Sequence, residues 1–132
     1  MSLKADIKIL IVDDMSTMRK IIKNMLTQIG FTNLSEADDG ASAWPMIEGA
    51  IKEGRPYEFI ISDWNMPQMS GLDLLKNVRS TAGLEKLPFL MITAEAEQGN
   101  VVIAVKAGVS NFIVKPFSAQ VLKEKIDKIF NK

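Results

Sequence analysis

The stretch Phe59-Ile60-Ile61-Ser62-Asp63-Trp64-Asn65-Met66-Pro67 sets the reading of the whole chain. Its first three residues are bulky and apolar and two are β-branched, which predicts a short buried strand. Pro67 cannot donate to a ladder and disfavours helix at Met66, so the strand ends before it. Asp63 then stands at the carboxyl edge of a buried strand, where open α/β sheets bind their ligands. Taken alone, Asp63 reads equally well as a turn-forming residue.

Upstream, Lys8-Ile9-Leu10-Ile11-Val12 is a second apolar run, ending in Asp13-Asp14. Ser16 is expected to cap a helix with Met18, Ile21, Ile22, Met25, Leu26 and Ile29 on one face, closed by Gly30. A strand near Asn33 to Ala37 and the turn Asp38-Asp39-Gly40 follow. The next helix is expected from about Ala41 to Lys52, which puts Pro45 in its first turn, where a missing N–H costs little. Downstream of Asp63, Ser70 is the expected cap of a helix that turns Gly71, Leu74, Leu75 and Val78 inward. Phe89-Leu90-Met91-Ile92 reads as a strand ending at Thr93-Ala94, and a helix from Gln98 to Ala107 is closed by Gly108. Asn111-Phe112-Ile113-Val114 is the fifth strand, ending at Lys115-Pro116. Ser118 opens the last helix, with Val121, Leu122, Ile126, Ile129 and Phe130 inward. Five strands alternating with five helices predict an α/β, flavodoxin-like (βα)5 fold. The expectation is a doubly wound parallel five-stranded sheet of strand order 2-1-3-4-5. Residues 1–132 are expected to form a single domain with no output domain.

Composition narrows the chemistry. Sixteen Lys and Arg balance sixteen Asp and Glu, unlike the one-sided basic charge of a nucleic-acid binder. The chain has no Cys and no His, so thiolate zinc sites, disulfides, an imidazole base and a Ser-His-Asp triad are excluded. No apolar run is long enough for a bilayer and Met1 to Asp6 lacks a signal-peptide core, so the expectation is a cytoplasmic protein without membrane contact.

Parallel strands bring all their carboxyl ends to one edge. Asp13 and Asp14 after the first strand, Asp63 after the third, Thr93 after the fourth and Lys115 after the fifth therefore converge. Crowded carboxylates repel one another, and a hard cation such as Mg2+, which prefers oxygen ligands and pairs with phosphate, relieves that. Lys115 adds a mobile positive charge and Thr93 a hydroxyl donor. The set suits phosphoryl transfer with Asp63 as nucleophile. The bland alternative is a satisfied ion pair between Lys115 and one Asp.

The motifs Asp13-Asp14, Asp63, Thr93-Ala94 and Lys115-Pro116-Phe117 resemble the signature of two-component response-regulator receiver domains over nearly the whole chain. Ser16-Thr17-Met18-Arg19, Ser62 to Pro67 and Met91 to Ala96 resemble the chemotaxis members of that family. The resemblance implies that Asp63 accepts a phosphoryl group from a phosphohistidine on a histidine autokinase. It implies Mg2+ held by Asp14 and Asp63 directly, by the Asn65 backbone carbonyl, and by Asp13 through water. Lys115 would contact the acyl phosphate and Thr93 would move toward it. The peptide before Pro116 is expected to be cis. The protein would then be a phosphoacceptor signalling protein and a monomer, with a phosphatase as a further partner. Its switched face would include Glu95, Val101, Phe112 and Lys125, and its target would be the flagellar motor switch. Phe112 stands where chemotaxis members usually carry Tyr, so a phosphate sink or a regulator of a non-motor target stays open.

Two other classes compete. An aspartate-nucleophile phosphatase would carry a second Asp two residues after the nucleophile, and Asn65 stands there instead. A nucleotide-binding flavodoxin-like module would need a Gly-rich phosphate loop, and none is evident.

Overall fold

The computed structural model describes residues 5–66, 68–94 and 98–130, with only the backbone of Ala94, Gln98, Asn100 and Val101. In chain order the elements are β1 (Ile9–Val12), α1 (Ser16–Ile29), β2 (Leu34–Ala37), α2 (Gly40–Lys52), β3 (Phe59–Asp63), α3 (Gly71–Arg79), β4 (Phe89–Ala94), α4 (Gln98–Lys106), β5 (Asn111–Lys115) and α5 (Ala119–Phe130). The five strands form one parallel sheet in the expected order, β2-β1-β3-β4-β5.

Alternation along each strand divides the core into two layers, because successive side chains leave opposite faces. Ile9, Ile11, Phe59, Ile61, Leu90, Ile92 and Ile113 pack with Ile22 and Leu26 of α1 and Leu122, Ile126 and Ile129 of α5. Leu10, Val12, Ile60, Phe89 and Met91 pack with Ala43 and Ile47 of α2 and Leu74, Leu75 and Val78 of α3. Phe59 and Phe130 meet edge to face with centroids 5.3 Å apart. Burial on both faces explains why β1, β3 and β4 read as unbroken apolar runs.

Local signals fare unevenly. Gly30 closes α1 at φ +122°, a backbone conformation that glycine adopts without penalty. Ser70 caps α3, its Oγ accepting from the Asp73 N–H at 3.1 Å, and Ser118 Oγ accepts from Val121 N–H at 3.2 Å. Ser70→Ala is expected to cost about 1 kcal/mol, the usual loss for an N-cap hydroxyl, read as a lowered urea midpoint. Ser16 is not a cap. It is the first residue of α1, the cap position is Met15, and no side chain serves it. α2 starts earlier than expected because Asp39 caps it, its Oδ1 accepting from Ser42 N–H at 2.7 Å. Pro45 therefore lies past the first turn, inside the helix. Ile21 and Val121, expected inward, are exposed. They sit at the margin of helix faces whose centres, Ile22 with Leu26 and Leu122 with Ile126, already fill the space over the sheet.

The apolar α4 resolves into a buried Ala104 and an outward Val102, Ile103 and Val105. Arg79 ties the lower ends of the layers together. Its guanidinium donates to the carbonyls of Leu87 at 2.7 Å and Gly108 at 2.8 Å.

Candidate functional site

The sheet order puts β1 between β2 and β3, and the register pairs Val12 with Ser62. The residues that follow, Asp13 and Asp63, are thus level on adjacent strands. Asp14 completes a cluster in which one oxygen of each carboxylate lies within 4.8 Å of the others. Asp13 and Asp63 are buried and Asp14 is exposed, so the cluster opens to solvent on one side.

Each buried carboxylate is held by the chain's own backbone. Asp13 Oδ1 accepts from Met15 N–H at 2.9 Å, while Asp13 Oδ2 is buried without a hydrogen-bond partner among the described residues. Asp63 Oδ1 accepts from Trp64 N–H at 2.9 Å and lies 3.2 Å from Lys115 Nζ. Lys115 ends β5, two strands away, and its long stem spans β4 to reach Asp63. The Lys115–Pro116 peptide is cis, as expected. Burial pushes the Asp13 carboxyl up to about 6, with the Asp63 charge adding to the rise and the Met15 N–H opposing it. Burial also raises Asp63, and Lys115 opposes that rise. Oxygen-only donors, crowded carboxylates and an orphaned buried oxygen are a donor set that fits a hard divalent cation.

Thr93 lies on β4, paired with Val114. It is buried, and its hydroxyl has no partner among the described residues. Phe112 is half-buried on β5 opposite Met91, so it shares a sheet face with Thr93 by alternation. Lys125 Nζ of α5 lies 5.1 Å from the Phe112 ring centroid. Asn65 is exposed, two residues past Asp63. Glu95 lies outside the described residues, and of Val101 only the backbone, in α4, is described. Sequence reasoning missed the contacts of Arg19 and Gly71 with the acid cluster. Ser16-Thr17-Met18-Arg19 marked a motif without saying what Arg19 touches.

The chain belongs to the family described as the response regulator receiver domain, which it matches over residues 9–127. Members of this family are signalling proteins of two-component systems. Within it, the chain is 55% identical over 130 residues to the chemotaxis protein CheY-3 of Vibrio cholerae serotype O1, covering 98% of this chain and 96% of that protein. It is also 55% identical over 125 residues to the chemotaxis protein CheY of Pseudomonas aeruginosa, covering 95% and 97%. Among solved structures, CheY4 of Vibrio cholerae superposes with a TM-score of 0.80 at 29% identity, covering 95% of this chain and 99% of that one. A putative response regulator from Chloroflexus aurantiacus gives 0.87 at 27% identity, covering 96% and 99%. No helix among the described residues is long and apolar enough to cross a membrane.

Proposed function

We propose that this protein is a chemotaxis response regulator that is phosphorylated on Asp63 by a histidine kinase and thereby switches its binding to a target protein. The reading is supported above all by a buried Asp63 whose Oδ1 is occupied by Lys115 and Trp64 N–H. Oδ2 has no hydrogen bond among the described residues, which makes it the nucleophile. Oδ2 forms the new P–O bond as the donor's P–N bond breaks, and the imidazole leaves with the electron pair. The attacking form is the carboxylate, which has no proton to lose, so the step requires no general base, consistent with a chain that has no His. Asp13, Asp14 and Asp63 would hold Mg2+, with the Asn65 carbonyl as a further ligand. When bound, the ion would neutralise charge on the phosphoryl oxygens. Lys115 holds Asp63 before transfer and can follow the new phosphoryl oxygen afterwards.

Thr93 supplies the link to switching. A buried hydroxyl without a partner costs about 1–3 kcal/mol, and a phosphoryl oxygen on Asp63 offers the missing acceptor. A conformation with Thr93 drawn toward Asp63 and Phe112 turned further in gains population on phosphorylation. The face that reports this is Phe112 with Lys125 and the outer side of α4, where Val102, Ile103 and Val105 are exposed. Glu95 and Val101 belong to the same proposed face. That relatives are named chemotaxis proteins supports a role in chemotaxis. On this reading the target is the flagellar motor switch, the working form a cytoplasmic monomer, and a phosphatase a further partner. A second reading, a phosphate sink or a regulator of a non-motor protein, is favoured by Phe112, which offers a partner no hydroxyl.

Intact mass after incubation with Mg2+ and a small phosphodonor tests the chemistry. A single Mg2+-dependent phosphoryl adduct is expected, and its absence from a folded, Mg2+-binding protein would leave an unphosphorylated binding module instead. Metal binding should also depend on pH. The ordinary carboxyl of Asp13 would titrate at 3.8, but in the fold it titrates at about 6. Above that value Asp13 is ionised, and below it the cation must displace its proton, so apparent affinity falls about tenfold per pH unit. Calorimetric Mg2+ titrations at about pH 5 and about pH 7.5 should differ by roughly that factor; equal affinities would show that Asp13 carries no extra proton.

A further inference from the structure

We propose that Arg19 is a positioning residue for the acid cluster, clamping the Asp13 peptide so that the cluster is preformed for its cation. This rests on the Mg2+ reading above. The β1–β2 ladder reaches its last pair at Val12 and Ala37, and Asp13 N–H still donates to Ala37 O at 3.1 Å. The Asp13 carbonyl lies beyond the ladder. Arg19 takes it up, Nη1 donating to Asp13 O at 2.7 Å. The other side of the same guanidinium is anchored on β2, with Nε 3.1 Å from Glu36 Oε1. Lys23 holds the second Glu36 oxygen at 3.3 Å. The Arg19 side chain is 18% exposed and that of Glu36 35%, so the bridge is part-buried at its Asp13 end and reaches the surface at Glu36.

The result is an Asp13 fixed at three of its four polar groups: N–H by Ala37, carbonyl by Arg19, Oδ1 by Met15 N–H. Among the described residues Oδ2 alone is left without a partner. A planar fork that binds two acceptors at a fixed angle can do this, and an ammonium on a flexible stem cannot. Groups that orient a ligand from behind commonly change metal affinity about 10–100-fold when removed.

Charge and position make opposite predictions here. By Coulomb's law alone, a guanidinium beside the site repels a cation, so removing it would tighten Mg2+ binding. As a clamp, its removal loosens Asp13 and weakens binding. Calorimetry with MgCl2 on the full chain separates the two, with a urea midpoint taken for each variant. Arg19→Met is expected to raise the Mg2+ Kd about tenfold. Arg19→Lys keeps the charge but loses the fork, and is expected to weaken binding nearly as much. Glu36→Gln removes the second anchor and should weaken it by a smaller factor. These two milder variants carry the test if Arg19→Met fails to fold. An unchanged or tighter Kd in Arg19→Met, with or without a lowered urea midpoint, overturns the inference, as does an Arg19→Lys that binds like the unaltered chain. If the unaltered chain binds no Mg2+, the metal reading itself falls and takes this inference with it.

Discussion

Asp63→Asn is expected to abolish the Mg2+-dependent phosphoryl adduct while leaving the fold intact. Asn is close to Asp in shape, and its carbonyl oxygen can still accept from Trp64 N–H, the bond that Asp63 Oδ1 makes at 2.9 Å. A carboxamide is not a nucleophile toward phosphorus at neutral pH. Stability should not suffer. Asp63 is a carboxylate whose burial disfavours its charge, and removing it lowers the repulsion within the cluster at the cost of the Lys115 pair. Intact mass with and without the phosphodonor, beside a urea titration, reads both effects. An adduct of equal yield on Asp63→Asn would place the phosphoacceptor elsewhere and undo the proposed mechanism.

The second large effect is expected from the smallest change. Gly71→Ala adds one methyl group at the start of α3, and the position has no room for it. A Cβ there would collide with the backbone carbonyl of Asp63 and lie 2.9 Å from Met91 Sδ. The close approach is itself structural, since Gly71 N–H donates to Trp64 O at 2.9 Å and so pulls α3 against the end of β3. Ala is a better helix former than Gly by about 1 kcal/mol, which alone would stabilise the protein. Overpacking against backbone costs about 1–3 kcal/mol or more and cannot be relieved by a rotamer change, so net destabilisation wins. Because the strain falls on the Asp63 peptide, phosphorylation should slow as well, whereas Ser70→Ala, one residue away, should lower stability only. A Gly71→Ala protein with an unchanged or raised urea midpoint would show that β3 and α3 can separate freely.

Gly71 also marks the boundary of what local pattern can reveal. Its place on the inner face of α3 follows from its spacing with Leu74, Leu75 and Val78, all buried. That it must be glycine follows only from the carbonyl pressed against it. Ser70 and Ser16 make the same point. Both precede or begin an apolar helical run, yet Ser70 caps α3 and Ser16 caps nothing, because the chain turns into α1 at Met15. Asp39 took the capping position of α2 and moved the helix start, leaving Pro45 within the helix. Cap chemistry is legible as a residue type, but which of two adjacent candidates wins depends on how the chain leaves the preceding strand.

The sequence by itself determined the elements, the parallel sheet and the edge at which Asp13, Asp14, Asp63, Thr93 and Lys115 gather. Those follow from periods of two and 3.6 residues and from the connection rules of alternating strands and helices, which act over a few neighbours along the chain. Tertiary structure alone decided the contacts between elements: which Asp the expected Lys115 pair involves, with Lys115 spanning β4 to reach Asp63, Arg19 bridging Asp13 to Glu36, and a Thr93 hydroxyl orphaned among the described residues. Such contacts depend on distances between residues many positions apart, set by packing across the sheet, and no local period encodes them.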